Sequence, residues 1–239
     1  MKVINYLLGY KNLKIVQDND MFNFSLDSVL LPNFVTLNKN ITKILDIGCG
    51  NAPIPLILST KTKANIVGVE IQKKVYEMAV ESVNINNLSD QIKIINMDIN
   101  EFYKIEETDK YDVITCNPPF FKYTEDSNIN ESEYKTIARH EIKLNLQELF
   151  KIAKKLLKNN GVIGIVHRPE RLLEILEEMR KNNIQPKKIQ FVYPRENQNA
   201  NIVLVEGSKN GNPGIKILPP LFTHNVDGSY TKKIKEYFE

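Results

Sequence analysis

Short apolar runs alternate with amphipathic stretches along the middle of the chain. Residues 43–47, 65–69, 91–96 and 112–116 read as four strands, and 161–166, 188–192 and 202–206 as three more. Several are almost continuously apolar, the pattern of strands covered on both faces of a parallel sheet. Between them the period lengthens. Residues 73–87 set Val75, Met78, Ala79, Ser82, Val83 and Asn86 near one helical face. Residues 145–157 repeat Leu146, Leu149, Phe150, Ala153 and Leu156, and 169–180 start at Pro169 and repeat Leu172, Leu173, Leu176 and Met179. Strand and helix in alternation predict a doubly wound α/β fold: a seven-stranded, mostly parallel sheet with helices on both faces. Only residues 193–201 join the last two strands, too few for a helical crossover, so a final antiparallel hairpin is expected.

Three segments fall outside this rhythm. Residues 1–24 suggest a short hairpin and 26–37 a helix packed on the sheet. Residues 120–141 form a polar insertion long enough for a lid or binding loop, and 207–239 a C-terminal extension. The 239 residues are read as one domain: an N-terminal extension (1–37), a core (38–207) and a C-terminal extension (208–239). No run approaches the roughly 20 apolar residues of a membrane span, and no signal peptide is read at the N-terminus. Two cysteines, Cys49 and Cys116, cannot by themselves hold a metal. A cytoplasmic, metal-free monomer is expected. Residues 1–150 carry 16 basic against 20 acidic side chains, net −4, and 151–239 carry 16 against 9, net +7. That asymmetry fits a polyanion partner or a solvated lysine-rich surface.

The candidate chemistry lies at strand ends. Leu45-Asp46-Ile47-Gly48-Cys49-Gly50-Asn51-Ala52 stands where the first strand turns into a helix. Glycines there allow positive φ and close approach of a ligand, so the loop could take a dinucleotide, S-adenosylmethionine or nothing. Glu70 ends the second strand and can accept from both hydroxyls of a ribose; otherwise it is a solvated acid. Asp98, after the third, can reach an adenine amino group or serve as a helix N-cap. Asn117-Pro118-Pro119-Phe120 follows the fourth strand. Its prolines remove two backbone donors and leave a row of acceptors. An exocyclic amino group has two N–H donors and a lone pair delocalised into its ring. Fixing both protons on the Asn117 side-chain oxygen and the Pro118 carbonyl favours a pyramidal nitrogen aimed at a methyl sulfonium. Phe120 offers a stacking face for a base taken out of its stack.

Together these residues resemble the class I S-adenosylmethionine-dependent methyltransferases, which are Rossmann-like. Asp46-x-Gly48-x-Gly50 resembles their first motif, Glu70 their ribose acid, Asp98 their adenine acid, and Asn117-Pro118-Pro119-Phe120 the loop of amino-group methyltransferases. Ala52 departs from the pattern, where a third glycine is common. The likeness spans about residues 25–207. Within the class the chain is similar to the tRNA1(Val) adenine-N6 methyltransferases, which modify adenosine 37. The likeness rests on Phe22-Asn23-Phe24-Ser25-Leu26-Asp27-Ser28-Val29-Leu30-Leu31, Ala138-Arg139-His140-Glu141, and the tail from Leu221 through Gly228-Ser229-Tyr230-Thr231. It implies S-adenosylmethionine as cofactor, tRNA as substrate, and a place for Asp27 at the cofactor's methionine end. Asp27 reads equally well as an N-cap.

Arg139 and His140 could meet a phosphate or the target base, or lie on a neutral loop. Lys187, Lys188 and Arg195, with Lys209, Lys232, Lys233 and Lys235, are candidate phosphate contacts. His167 and Arg168 are expected to be structural, and His224 has no second ligand for a metal. Rival readings are an rRNA guanine-N2, DNA adenine-N6 or protein glutamine methyltransferase, an NAD-dependent dehydrogenase, and a non-catalytic RNA-binding module.

Overall fold

The computed structural model describes residues 2–10, 12–18, 25–118 and 144–238. An N-terminal hairpin pairs β1 (Lys2–Tyr6) with β2 (Lys14–Asp18), antiparallel. Helix α1 (Asp27–Phe34) follows, then the alternating core: β3 (Lys43–Ile47), α2 (Pro53–Lys61), β4 (Asn65–Glu70), α3 (Lys73–Ile85), β5 (Ile92–Asn96), α4 (Ile99–Ile105) and β6 (Tyr111–Cys116). After the undescribed stretch come α5 (Leu146–Leu156), β7 (Leu157–His167), a 3-10 turn (Pro169–Arg171), α6 (Leu172–Lys181), β8 (Ile184–Tyr193) and β9 (Ile202–Lys209). The C-terminal extension supplies β10 (Lys216–Ile217), β11 (Leu221–Phe222) and α7 (Lys232–Lys235).

All seven expected strands are present, and the sheet is larger than expected. Among the described residues it has nine strands, because β10 and β11 each add a two-residue parallel rung to β8. The order is β10-β8-β9-β7-β6-β3-β4-β5. β9 lies between β7 and β8 and runs antiparallel to both, while the remaining ladders are parallel. The short link between β8 and β9 dictates this, as the spacing predicts.

Each face carries its own core. Leu30, Leu31, Ile57, Leu58, Ala79 and Val83 pack with Ile44 and Ile66 on one side. Leu149, Phe150, Ile175 and Met179 pack with Leu45, Ile163 and Val205 on the other. Each fully buried Leu or Ile contributes about 1.5–3 kcal/mol. Local signals set the helix starts: Pro53 opens α2, and Asn145 and Glu148 form a reciprocal capping box on α5.

Polar clamps fix the periphery. At the foot of the sheet, Asp112 accepts from the Thr42 and Lys43 amides and the Thr42 hydroxyl, each at 2.9 Å, and from Lys158 Nζ at 2.7 Å. Buried Glu206 on β9 accepts from the Thr36 hydroxyl at 2.8 Å and pairs with Lys188 at 3.2 Å. The hairpin is held by side chains instead of a third strand: Val16 N donates to Ser82 Oγ at 3.0 Å and its carbonyl accepts from Asn51 at 2.8 Å. Its turn needs glycine, because Gly9 has φ +78° and a Cβ there would stand 2.1 Å from the ring of Phe238. Tyr10, Phe238, Tyr230 and His224 continue as a chain of ring contacts that ties the C-terminal extension to the hairpin. Among the described residues no helix is long and apolar enough to cross a membrane.

Candidate cofactor and amino-group site

The C-terminal ends of β3, β4, β5 and β6 open side by side. Gly48 and Gly50 turn the chain off β3 with φ of +66° and +56°, and a Cβ on either would meet nothing within 4 Å. The turn is pinned because the Gly48 and Cys49 amides both donate to the Val69 carbonyl, at 2.9 and 3.0 Å. Ala52, which stands where a third glycine is common, itself takes φ 73° as the N-cap of α2. The loop therefore keeps a glycine-like path at the cost of mild left-handed strain.

Two carboxylates lie beneath this cradle. Glu70 is 5 % exposed and accepts from Gly50 N at 3.1 Å and Gln72 N at 2.8 Å. Burial raises its pKa against the pull of those amides. Asp46 is fully buried; Oδ1 accepts from Thr115 Oγ1 at 2.6 Å, and Oδ2 has no partner. Burial pushes the Asp46 carboxyl up to about 7, with the nearby Glu70 charge adding to the shift and Thr115 opposing it. Gln72 Oε1 is a second buried acceptor with no partner. An open glycine turn with unfilled acceptors buried close by in the chain, at Asp46 and Gln72, fits a ligand that brings donors and positive charge.

Ile47 and Cys116 are register partners, so the glycine turn and Asn117 leave the sheet on adjacent strands, about 4.8 Å apart. Asn117 is half-buried and points its amide nitrogen at Ser28 Oγ, 3.5 Å away, which leaves its oxygen for another donor. Pro118 is buried beside it. Asp27 is the first residue of α1 and makes no cap bond, so the N-cap alternative fails. It accepts from Ser25 Oγ at 2.7 Å; burial raises its pKa, opposed by Ser25 and the Arg168 charge. Asp98 does cap α4, accepting from Asn100 N at 2.8 Å. That bond engages one of its two oxygens.

Several expected residues fall elsewhere. Pro119 and the whole 120–141 insertion, with Phe120, Arg139 and His140, lie outside the described residues. Lys188 is corrected from a phosphate contact to an internal clamp: its ammonium donates to the Phe34 carbonyl at 2.7 Å and Thr36 Oγ1 at 2.9 Å and pairs with Glu206. Lys209 is likewise engaged, donating to the Leu157 carbonyl at 2.9 Å and pairing with Asp109. Lys187 donates to the Asn212 carbonyl at 3.0 Å. Arg195, Lys232 and Lys235 are exposed, and Lys233 pairs with Glu236. His167 is buried at the end of β7, where burial lowers its pKa to about 4. The sequence reading missed Thr115, Ser28 and Gln72. A polar Thr115 inside a buried apolar strand was the readable signal, since it requires a partner.

Comparison with known proteins matches this geometry to a class. The model of the "Methyltransferase small domain" family covers residues 26–190. A predicted O-methyltransferase from Agrobacterium tumefaciens shares the fold, with a TM-score of 0.70 at 17% identity over 89% of this chain and 95% of its own. A tRNA1(Val) (adenine(37)-N6)-methyltransferase of Flavobacterium psychrophilum is 34% identical over 67% of each chain, and one of Christiangramia forsetii 31% identical over 77% of each. The chain belongs to the methyltransferase small domain family and, within it, to the family of these two relatives.

Proposed function

We propose that this protein methylates N6 of adenosine 37 in tRNA1(Val), using S-adenosylmethionine. The observation that carries the reading is the adjacency of Asn117-Pro118 to the Gly48–Gly50 cradle on neighbouring strands. Two relatives that carry this activity in their names, similar over two thirds or more of the chain, support the substrate.

When bound, S-adenosylmethionine supplies an electrophilic methyl group on a positively charged sulfur. Gly48 and Gly50 would admit the ligand to the backbone, Glu70 would accept from its ribose, and Asp98 from its adenine amino group. Asp46 and Asp27 would face its positively charged end. Asn117 Oδ1 and the Pro118 carbonyl would accept hydrogen bonds from the two N–H groups of the target amine, which keeps both protons until the N–C bond forms and the S–C bond breaks, one proton then passing to solvent. Those hydrogen bonds would turn the nitrogen lone pair out of the adenine ring and toward the methyl group. Ser28 matters because it occupies the Asn117 amide nitrogen and so fixes which end of that side chain faces the substrate. Catalysis is then positioning with fixed dipoles, and no general base is needed to start it.

The test is methyl transfer from labelled S-adenosylmethionine to unmodified tRNA, followed by nucleoside analysis. N6-methyladenosine in valine tRNA is expected. N2-methylguanosine in rRNA would keep the amino-group chemistry and discard the substrate.

A further inference from the structure

We infer that the rim beyond Asn117 carries a second RNA subsite, an aromatic step formed by Tyr193 and Phe222 that stacks unpaired bases near the methylated one. This rests on the reading of function above.

Phe222 on β11 and Tyr193 at the end of β8 are register partners in a parallel ladder, so their side chains leave the same face. Their rings stand 5.4 Å apart and tilted by 39°, and both are half-buried. The residues one step earlier, Val192 and Leu221, point the other way into the core, at 0% and 3% exposure. The backbone under the step is fixed: Thr223 N donates to the Tyr193 carbonyl at 2.9 Å, His224 N to the Pro194 carbonyl at 3.0 Å, and Thr231 Oγ1 to the Phe222 carbonyl at 2.7 Å. A rigid, partly open aromatic pair loses little freedom when a base settles on it.

Position and charge identify the occupant. β8 is parallel to β6, and along the rim the strands run β6, β7, β9, β8. Cys116, Ile165, Val205 and Ile189 share one row of the sheet, so Tyr193 lies three strand spacings across and three residues further along than Asn117, about 17 Å away. That is within reach of one single-stranded loop, and too far for the target base itself. Cations line the way: Arg168 at the end of β7 reaches the Asn201 carbonyl at 2.8 Å, and exposed Arg195 follows Tyr193 by two residues, with one acid, Glu196, in the same loop. Exposed Lys232 begins α7 next to Thr231. Aromatic faces interleaved with cations suit splayed bases joined by phosphates; a rigid duplex would present no free base faces there.

The experiment measures binding of the unmodified anticodon stem-loop of tRNA1(Val) to the full chain. Tyr193→Leu and Phe222→Leu should each weaken binding by about tenfold, with S-adenosylmethionine affinity unchanged. Tyr193→Phe and Phe222→Tyr, which keep the rings, should bind like the wild type. Abasic nucleotides in the loop should weaken the wild type similarly, with no added loss in Tyr193→Leu. Wild-type affinity in both leucine variants would overturn the subsite while leaving the methyl transfer reading intact. The same holds for losses that are independent of the RNA base. A wild-type chain that binds no stem-loop would bring down both.

Discussion

The two ends of the central strands treat their carboxylates in opposite ways. At the foot, burial raises the Asp112 carboxyl, but Lys158 and the donors of Thr42 and Lys43 outweigh it and hold the pKa at about 2. At the C-terminal ends, Asp46 is pushed up to about 7 and keeps one oxygen without a partner. The foot satisfies its charge within the chain and therefore only has to be stable. The other end leaves acceptors unfilled, which costs stability unless something arrives to fill them. One sheet thus separates the work of holding together from the work of binding.

Substitutions at each end test that separation. The largest effect is expected for Asn117→Ala, a loss of about 100-fold or more in methyl transfer, with thermal unfolding and cofactor affinity near wild type. Turnover close to normal would remove Asn117 from the chemistry. Asp112→Ala should do the reverse, lowering stability to denaturant by about 1–3 kcal/mol while the folded fraction keeps its activity.

The pH dependence should split with the same sign logic. Asp112 has a depressed pKa, so its contribution is present above the model-peptide value of 3.8 and lost as pH falls toward 2. Asp46 has a raised pKa, so its contribution is present below 3.8 and lost as pH rises through about 7. Asp46→Asn should therefore flatten the decline in stability of the cofactor-free protein across that upper window, and an unchanged profile would place the titration elsewhere. The smallest effect is expected at Ala52→Gly, within about 1 kcal/mol, because relief of left-handed strain offsets loss of a buried methyl. A much larger loss by denaturant titration would mean that the methyl packs more tightly than the strain it costs.

The central strands were legible because burial on both faces leaves little room for polar residues, as in β3 and β4. The turns were legible because Gly48, Gly50, Pro53 and Pro118 are tied to backbone geometry. β10 and β11 were not: two residues cannot show a period, and both residues of β10 are exposed. Lys188 misled for a related reason. A lysine in a lysine-rich chain reads as surface, and only its distant partner Glu206, an acid inside the apolar strand 202–209, signalled a buried pair. Asp112 carried the same kind of signal at the start of β6. Polar residues in apolar strands deserve to be read as half of a contact whose other half lies far along the chain.

The position of β9 has a consequence for how the protein is made. Synthesis delivers β8 before β9, yet β8 can join the sheet only through β9. Until residue 209 leaves the ribosome, β7 presents an open apolar edge and β8 has no place to dock. Exposed edges of that kind capture neighbouring chains. The sheet can thus close only after residue 209, when β9 bridges β7 and β8 and the two-residue strands β10 and β11 follow.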